Sequence, residues 1–99
     1  YIDLHYNEDL SIDNIAQHFN ISTGYLSRYF KSHLNVTVKE YLIAVRLKKA
    51  RQDVLFSNYT ISEIAYLHGF RNLKSFINAF KKVYHETPAK YREKVRKWH

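Results

Sequence analysis

Two short runs carry side chains able to read a nucleic acid. In the first, Gly24, Ser27, Arg28 and Lys31 fall on one side of a helical wheel, with Thr23 and Tyr25 flanking. In the second, Lys74, Asn78, Lys81 and Lys82 do the same, flanked by Arg71 and Ser75. Arg can hold guanine O6 and N7 together, and Asn can hold adenine N6 and N7. Hydroxyls and the first amides of a helix reach phosphate oxygens, and Lys supplies charge to the same backbone. Gly24 would let a base edge or a sugar come close. Leu73 and Ile77 fit two roles, as the last residues of a core or as contacts to thymine methyls.

These residues need elements that present them, and the chain builds the elements twice. IAQHFNI (residues 15–21) and IAYLHGF (residues 64–70) open alike, with Asn20 where Gly69 stands. Gly and Asn both tolerate the left-handed conformation, so one tight turn is expected at both places. At an offset of 49, Ile12, Ile15 and Ala16 match Ile61, Ile64 and Ala65. At an offset of 50, Phe30, Lys31, Thr37, Tyr41, Val45 and Arg46 match Phe80, Lys81, Thr87, Tyr91, Val95 and Arg96. The one-residue slip falls in the turn, where insertions are tolerated.

Each copy reads as helix, turn, helix. Ser11 and Thr60 are N-caps, and Thr60 with Glu63 completes a capping box. The spacing predicts helices over 12–18 and 61–67 with Ile12, Ile15, Ala16 and Ile61, Ile64, Ala65 inward. The following helices are expected over 23–33 and 73–83. The first buries Leu26, Phe30 and His33 or Leu34, and the second buries Phe76, Phe80 and Val83. Between the copies, VKEYLIAVRLKKARQDVLF (residues 38–56) contains no Gly or Pro. It is apolar on two sides, so each end can pack against one copy. From Thr37 to Phe56 this helix is about 30 Å long, close to the ~34 Å of one DNA turn. SNYT (57–60) is the linker, and Thr87-Pro88 opens a last helix. There Tyr91 and Val95 pack inward, while Arg92, Lys94, Arg96 and Lys97 face out. Residues 1–6 read as the end of a helix. The domain reading is therefore a first helix-turn-helix subdomain at 1–36, a linker helix at 37–56 and a second subdomain at 57–99. The fold class is all-α.

Composition agrees. The chain has 99 residues, 45% of them hydrophobic, and a net charge of +7. Residues 1–20 hold four acids and no Lys or Arg, so residues 21–99 carry +11. A basic surface of this size attracts a polyanion. No Cys excludes disulfides and thiol chemistry and fits a reducing cytoplasm. No 18-residue apolar run or signal peptide is present. His5, His18, His33, His68, His85 and His99 are scattered, and none pairs with a carboxylate at ligand spacing, so no metal is expected. His33 and His68 read as core-flanking. No phosphate loop, nucleophile elbow or serine triad is visible. Catalysis and a cofactor are not expected.

The segment ISEIAYLHGFRNLKSFINAFKKVYHETPAKYR (61–92), with YLSRYFK (25–31) and YLIAVRLKKA (41–50), resembles the AraC/XylS family of bacterial transcription regulators. The resemblance implies a seven-helix DNA-binding domain whose third and sixth helices enter adjacent major grooves of double-stranded DNA. Carried over by position, the base-reading residues are Thr23, Gly24, Ser27, Arg28, Leu73, Lys74, Ser75 and Asn78. Phosphate contacts fall at Ser22, Lys31, Arg71, Asn72, Lys81 and Lys82. The resemblance further implies a role in activating or repressing transcription, RNA polymerase as a second partner, and a cytoplasmic, nucleoid-associated place in a bacterium. Family members often carry a separate sensing or dimerising domain, and the missing Met suits a C-terminal piece of such a regulator. The chain departs from the family at Asn35 and His85, where Gly is usual at the helix ends, at Asn20 in the first turn, and at Asp53, a usual Leu site whose polarity is expected to loosen packing. Two further readings remain. An RNA-associated helical module would need exposed aromatics for stacking, with Tyr25 and Tyr29 as candidates. A protein-interaction bundle would use Leu73 and Ile77 as an apolar patch.

Overall fold

The computed structural model describes residues 5–8 and 10–97, and these form six helices and no strand. They are α1 (Ile12–His18), α2 (Thr23–Leu34), α3 (Val38–Phe56), α4 (Ile61–Leu67), α5 (Leu73–Tyr84) and α6 (Pro88–Lys97). The helix expected at residues 1–6 lies almost wholly outside the described residues. The chain divides into two compact units, one up to Val45 and one from Arg46 onward.

In the first unit Ser11 caps α1 by accepting from the Asn14 amide at 3.1 Å, and Ser22 caps α2 by accepting from the Tyr25 amide at 3.1 Å. Between them the chain turns at Asn20, φ 56°. The turn is closed by Asn20 N–H to the Gln17 carbonyl and Ile21 N–H to the Ala16 carbonyl. Ile15, Ala16, Leu26 and Phe30 are buried together with Val38 and Leu42 from the start of α3. Ala16 has no side chain beyond Cβ, which lets the neighbouring helix approach. The expected third member of the α2 face is not buried. Leu34 is 46% exposed, and His33 is exposed and stacks on Tyr29 at 4.3 Å. The helix ends one turn past Phe30, at the left-handed Asn35 (φ 57°), where no core remains for either side chain to enter. The start of α3 is held by a reciprocal pair: the Glu40 amide donates to Thr37 Oγ1, and the Thr37 amide donates to the Glu40 carboxylate.

The second unit repeats the plan with more aromatic bulk. Thr60 and Glu63 form the full capping box. Gly69 takes φ 85° in the turn, and Phe70 N–H bonds the Ala65 carbonyl as Ile21 bonds Ala16. Leu47, Ala50, Val54, Ile64, Ala65, Phe76 and Phe80 are all buried. Phe70, Phe76, Phe80 and Tyr91 meet in sequence, tilted and then edge to face, at centroid separations of 4.9, 5.8 and 5.4 Å. Val83 is 52% exposed, so the sequence expectation for it is corrected. Tyr84 takes the inward place instead, 4.6 Å from Phe80. Helix α5 stops at His85, φ 68°, whose N–H returns to the Lys81 carbonyl, so a residue with a Cβ adopts the left-handed stop that Asn35 makes in the first unit.

Three polar residues of this unit depart from expectation. Arg92 turns inward rather than outward. Its Nε donates to the Val54 carbonyl at 2.9 Å, Nη1 to Tyr59 at 2.7 Å, and Nη2 to Asp53 at 3.2 Å and Ser57 at 3.3 Å. A single guanidinium thus gathers four carbonyls at and just past the end of α3, where intrahelical donors run out. Burial and the charge of Arg96 hold its pKa below the ordinary Arg value. Arg96 also donates to the Ser57 carbonyl, so it does not simply face solvent. Asp53 does not loosen the packing: its carboxylate meets the imidazole of His68, 15 residues away, at 2.6 Å, and in the first unit His5 meets Glu8, so two His do pair with a carboxylate.

Candidate nucleic-acid interface

Helices α2 and α5 each follow the left-handed turn, and the core side of each is fixed by an aromatic residue and one residue four places earlier. Leu26 and Phe30 do this in α2, Phe76 and Phe80 in α5. At about 100° per residue, Gly24, Arg28 and Lys31 then lie within about 60° of one another on the far side of α2. Lys74, Asn78, Lys81 and Lys82 lie within about 100° on the far side of α5. Every residue expected to read bases or hold phosphate is exposed: Ser22, Thr23, Gly24, Ser27, Arg28 and Lys31 in the first unit, and Arg71, Asn72, Leu73, Lys74, Ser75, Asn78, Lys81 and Lys82 in the second. The two sets stand on two separate units, and each is brought together within its own unit.

Ser22 and Asn72 have a structural duty as well. The Ser22 hydroxyl oxygen and the Asn72 side-chain carbonyl accept the amides of Tyr25 and Ser75, at 3.1 and 2.8 Å. Both keep a donor to spare, the hydroxyl proton of Ser22 and the amide NH2 of Asn72. At Gly24 an added Cβ would meet only Arg28 Nη1, at 3.6 Å, which is ordinary contact. Nothing in the protein's own packing demands glycine there. It leaves a notch beside the Arg28 guanidinium, at the cost of helix propensity.

Leu73 is 40% exposed, while Ile77 is half-buried, so the two positions left open by the sequence part company. Leu73 presents more apolar surface to a partner than Ile77 does. Tyr25 belongs to the outer face and is absent from the set expected from sequence. It is 53% exposed, lies about 60° from Arg28, and aligns with Ser75 at the offset of 50. The repeat offset was the signal that finds it. No helix of the described residues is long and apolar enough to cross a membrane.

A family model described as a helix-turn-helix domain matches residues 15–94, which takes in both units. An HTH-type transcriptional regulator of Staphylococcus aureus is 36% identical over 92 residues, covering 93% of this chain but 12% of that regulator. The chain therefore spans about an eighth of the length of that relative. The DNA-binding domain of AdpA, a global transcriptional factor whose structure was determined with a target DNA, superposes with a TM-score of 0.93. It is 25% identical, over 98% of this chain and 87% of that one. A transcriptional regulator of Chromobacterium violaceum, from the proteins that contain an AraC-type DNA-binding domain, superposes at 0.86 with 28% identity, over 95% of this chain and 84% of that one. Paired helix-turn-helix units, a duplicated left-handed turn and the extent of these matches place the chain in the AraC/XylS family of transcription regulators.

Proposed function

We propose that this chain regulates transcription by binding duplex DNA in a sequence-specific way, with α2 and α5 reading two successive major grooves. The observation that carries the reading is the duplication itself. The same turn launches two helices whose outer faces both expose Lys together with a side chain suited to bidentate base recognition, Arg28 in one and Asn78 in the other. A single basic helix face is an ordinary solvated surface; two built alike are a reading device. The 19 residues of α3 give about 28 Å of helix, which fits a spacing near one DNA turn. In this reading residues 1–36 form one subdomain, 37–56 the linker helix and 57–99 the other.

Thr23, Gly24, Ser27, Arg28, Leu73, Lys74, Ser75 and Asn78 take the base edges. Ser22, Lys31, Arg71, Asn72, Lys81 and Lys82 take the phosphates. The chain works without catalysis, as part of a longer cytoplasmic regulator that supplies a sensing or dimerising domain and contacts RNA polymerase. Gel shifts with duplex DNA, structured RNA and no nucleic acid test the reading. A salt-sensitive complex with duplex only is the expected result. Equal binding to structured RNA contradicts it.

A further inference from the structure

We infer that the part-buried Asp53–His68 pair is a positioning device for the second reading helix, an inference that rests on the proposed role of α5 in reading DNA. His68 is 8% exposed, and its Nε2 lies 2.6 Å from Asp53 Oδ2. Asp53 belongs to α3 and His68 ends α4. The bond therefore pins the end of the first helix of the helix-turn-helix to the connecting helix, at one point and in one direction.

From that point the constraint runs straight to α5. The His68 amide returns to the Ile64 carbonyl at 3.1 Å and the Gly69 amide to Tyr66 at 3.2 Å. The Phe70 amide bonds Ala65 at 2.9 Å, and the Phe70 ring lies 4.9 Å from Phe76, the buried residue in the first turn of α5. A single residue, Gly69, thus separates the pinned imidazole from the ring that seats the reading helix. On the other side, the Asp53 carbonyl is held by Arg92 at 3.2 Å, so the acidic residue is fixed through backbone and side chain alike. Phe19, which aligns with His68, is 50% exposed. A buried polar pair adds little net stability over an apolar one, but its directionality fixes a single register. The bond serves the placement of Lys74 and Asn78 against the bases.

The test uses the duplex recovered by random-sequence selection, and a second duplex scrambled only at the bases whose preference Asn78→Ala abolishes. Asp53→Ala is expected to bind the selected duplex about tenfold more weakly, and the scrambled duplex like the unsubstituted chain. Asp53→Asn keeps an oxygen to accept from Nε2–H and is expected to stay within about twofold on both. Circular dichroism checks that each variant is folded. If Asp53→Ala is not, Asp53→Leu with His68→Val replaces the bond by apolar contact and is expected to show the same selective loss. Equal losses on both duplexes, no loss on either, or an Asp53→Asn defect as large as that of Asp53→Ala would overturn the positioning role while leaving duplex recognition intact. A selection that returns no preferred duplex removes the DNA reading, and this inference with it.

Discussion

At the scale of single residues, readers and anchors differ in what their loss does. Arg28 faces outward with no structural duty that its helix needs, so Arg28→Ala is expected to relax preference at one base pair at a cost of about 1–3 kcal/mol. Lys82 offers only charge. Lys82→Ala is expected to weaken all duplexes alike and to lower the slope of log affinity against log salt by about 1. Titrations over a salt series with matched and mismatched duplexes separate the two; identical behaviour contradicts the division. Gly24 is a sharper case. Its Cβ space is open, so Gly24→Ala is expected to stabilise the chain by up to ~1 kcal/mol in thermal unfolding and yet bind DNA less well. Arg92 runs the other way. Alanine there removes the donor from the carbonyls of Val54 and Tyr59, while those of Asp53 and Ser57 keep Ser57 and Arg96 as donors, and a loss of about 2 kcal/mol in stability is expected in denaturant titration.

At the scale of elements, the helix starts and the turns were legible because they depend on local chemistry. Ser11, Ser22, Thr60 and Asn72 cap where their side chains can reach an amide two or three residues on, and Asn20 and Gly69 turn where positive φ is needed. The inward faces of α1, α2, α4 and α5 followed from helical spacing. What periodicity could not tell was where a core ends. Val83, His33 and Leu34 continue an apolar stripe past the point at which a neighbouring helix covers it, and so they stay exposed. Arg92 and the Asp53–His68 pair were hidden for another reason. Their partners are 15 to 39 residues away, and a charged residue on a helical wheel reads as solvent-facing until a distant carbonyl or imidazole meets it. The outer faces of α2 and α5 were legible, with Tyr25 on the flank of the first, although an aromatic at helical spacing also fits a packing role. The two helix ends make a prediction of their own. His85 bears a Cβ in the left-handed region, so His85→Gly is expected to raise stability by about 1 kcal/mol, whereas Asn35→Gly changes it little. At Glu63, bonds from the Thr60 amide and hydroxyl hold the carboxyl below its ordinary pKa. A depressed folded pKa means that this contribution is present above the unfolded value and is lost as pH falls through the folded one. Unfolding followed from neutral to acid pH should show a decline at the acid end that Glu63→Gln lacks, since the amide oxygen still accepts from Thr60 at all pH.

At the scale of the whole molecule, the account makes one claim: two units of a single chain address two places on one duplex. In the proposed reading neither unit carries the specificity alone, and the +11 carried by residues 21–99 supplies attraction without sequence preference. The direct measurement is a random-sequence duplex selection carried out with the chain, with Arg28→Ala and with Asn78→Ala. The account predicts two short clusters of preferred base pairs with centres about 10 base pairs apart, one flattened only by Arg28→Ala and the other only by Asn78→Ala. A single cluster, or two variants that flatten the same base pairs, would contradict it.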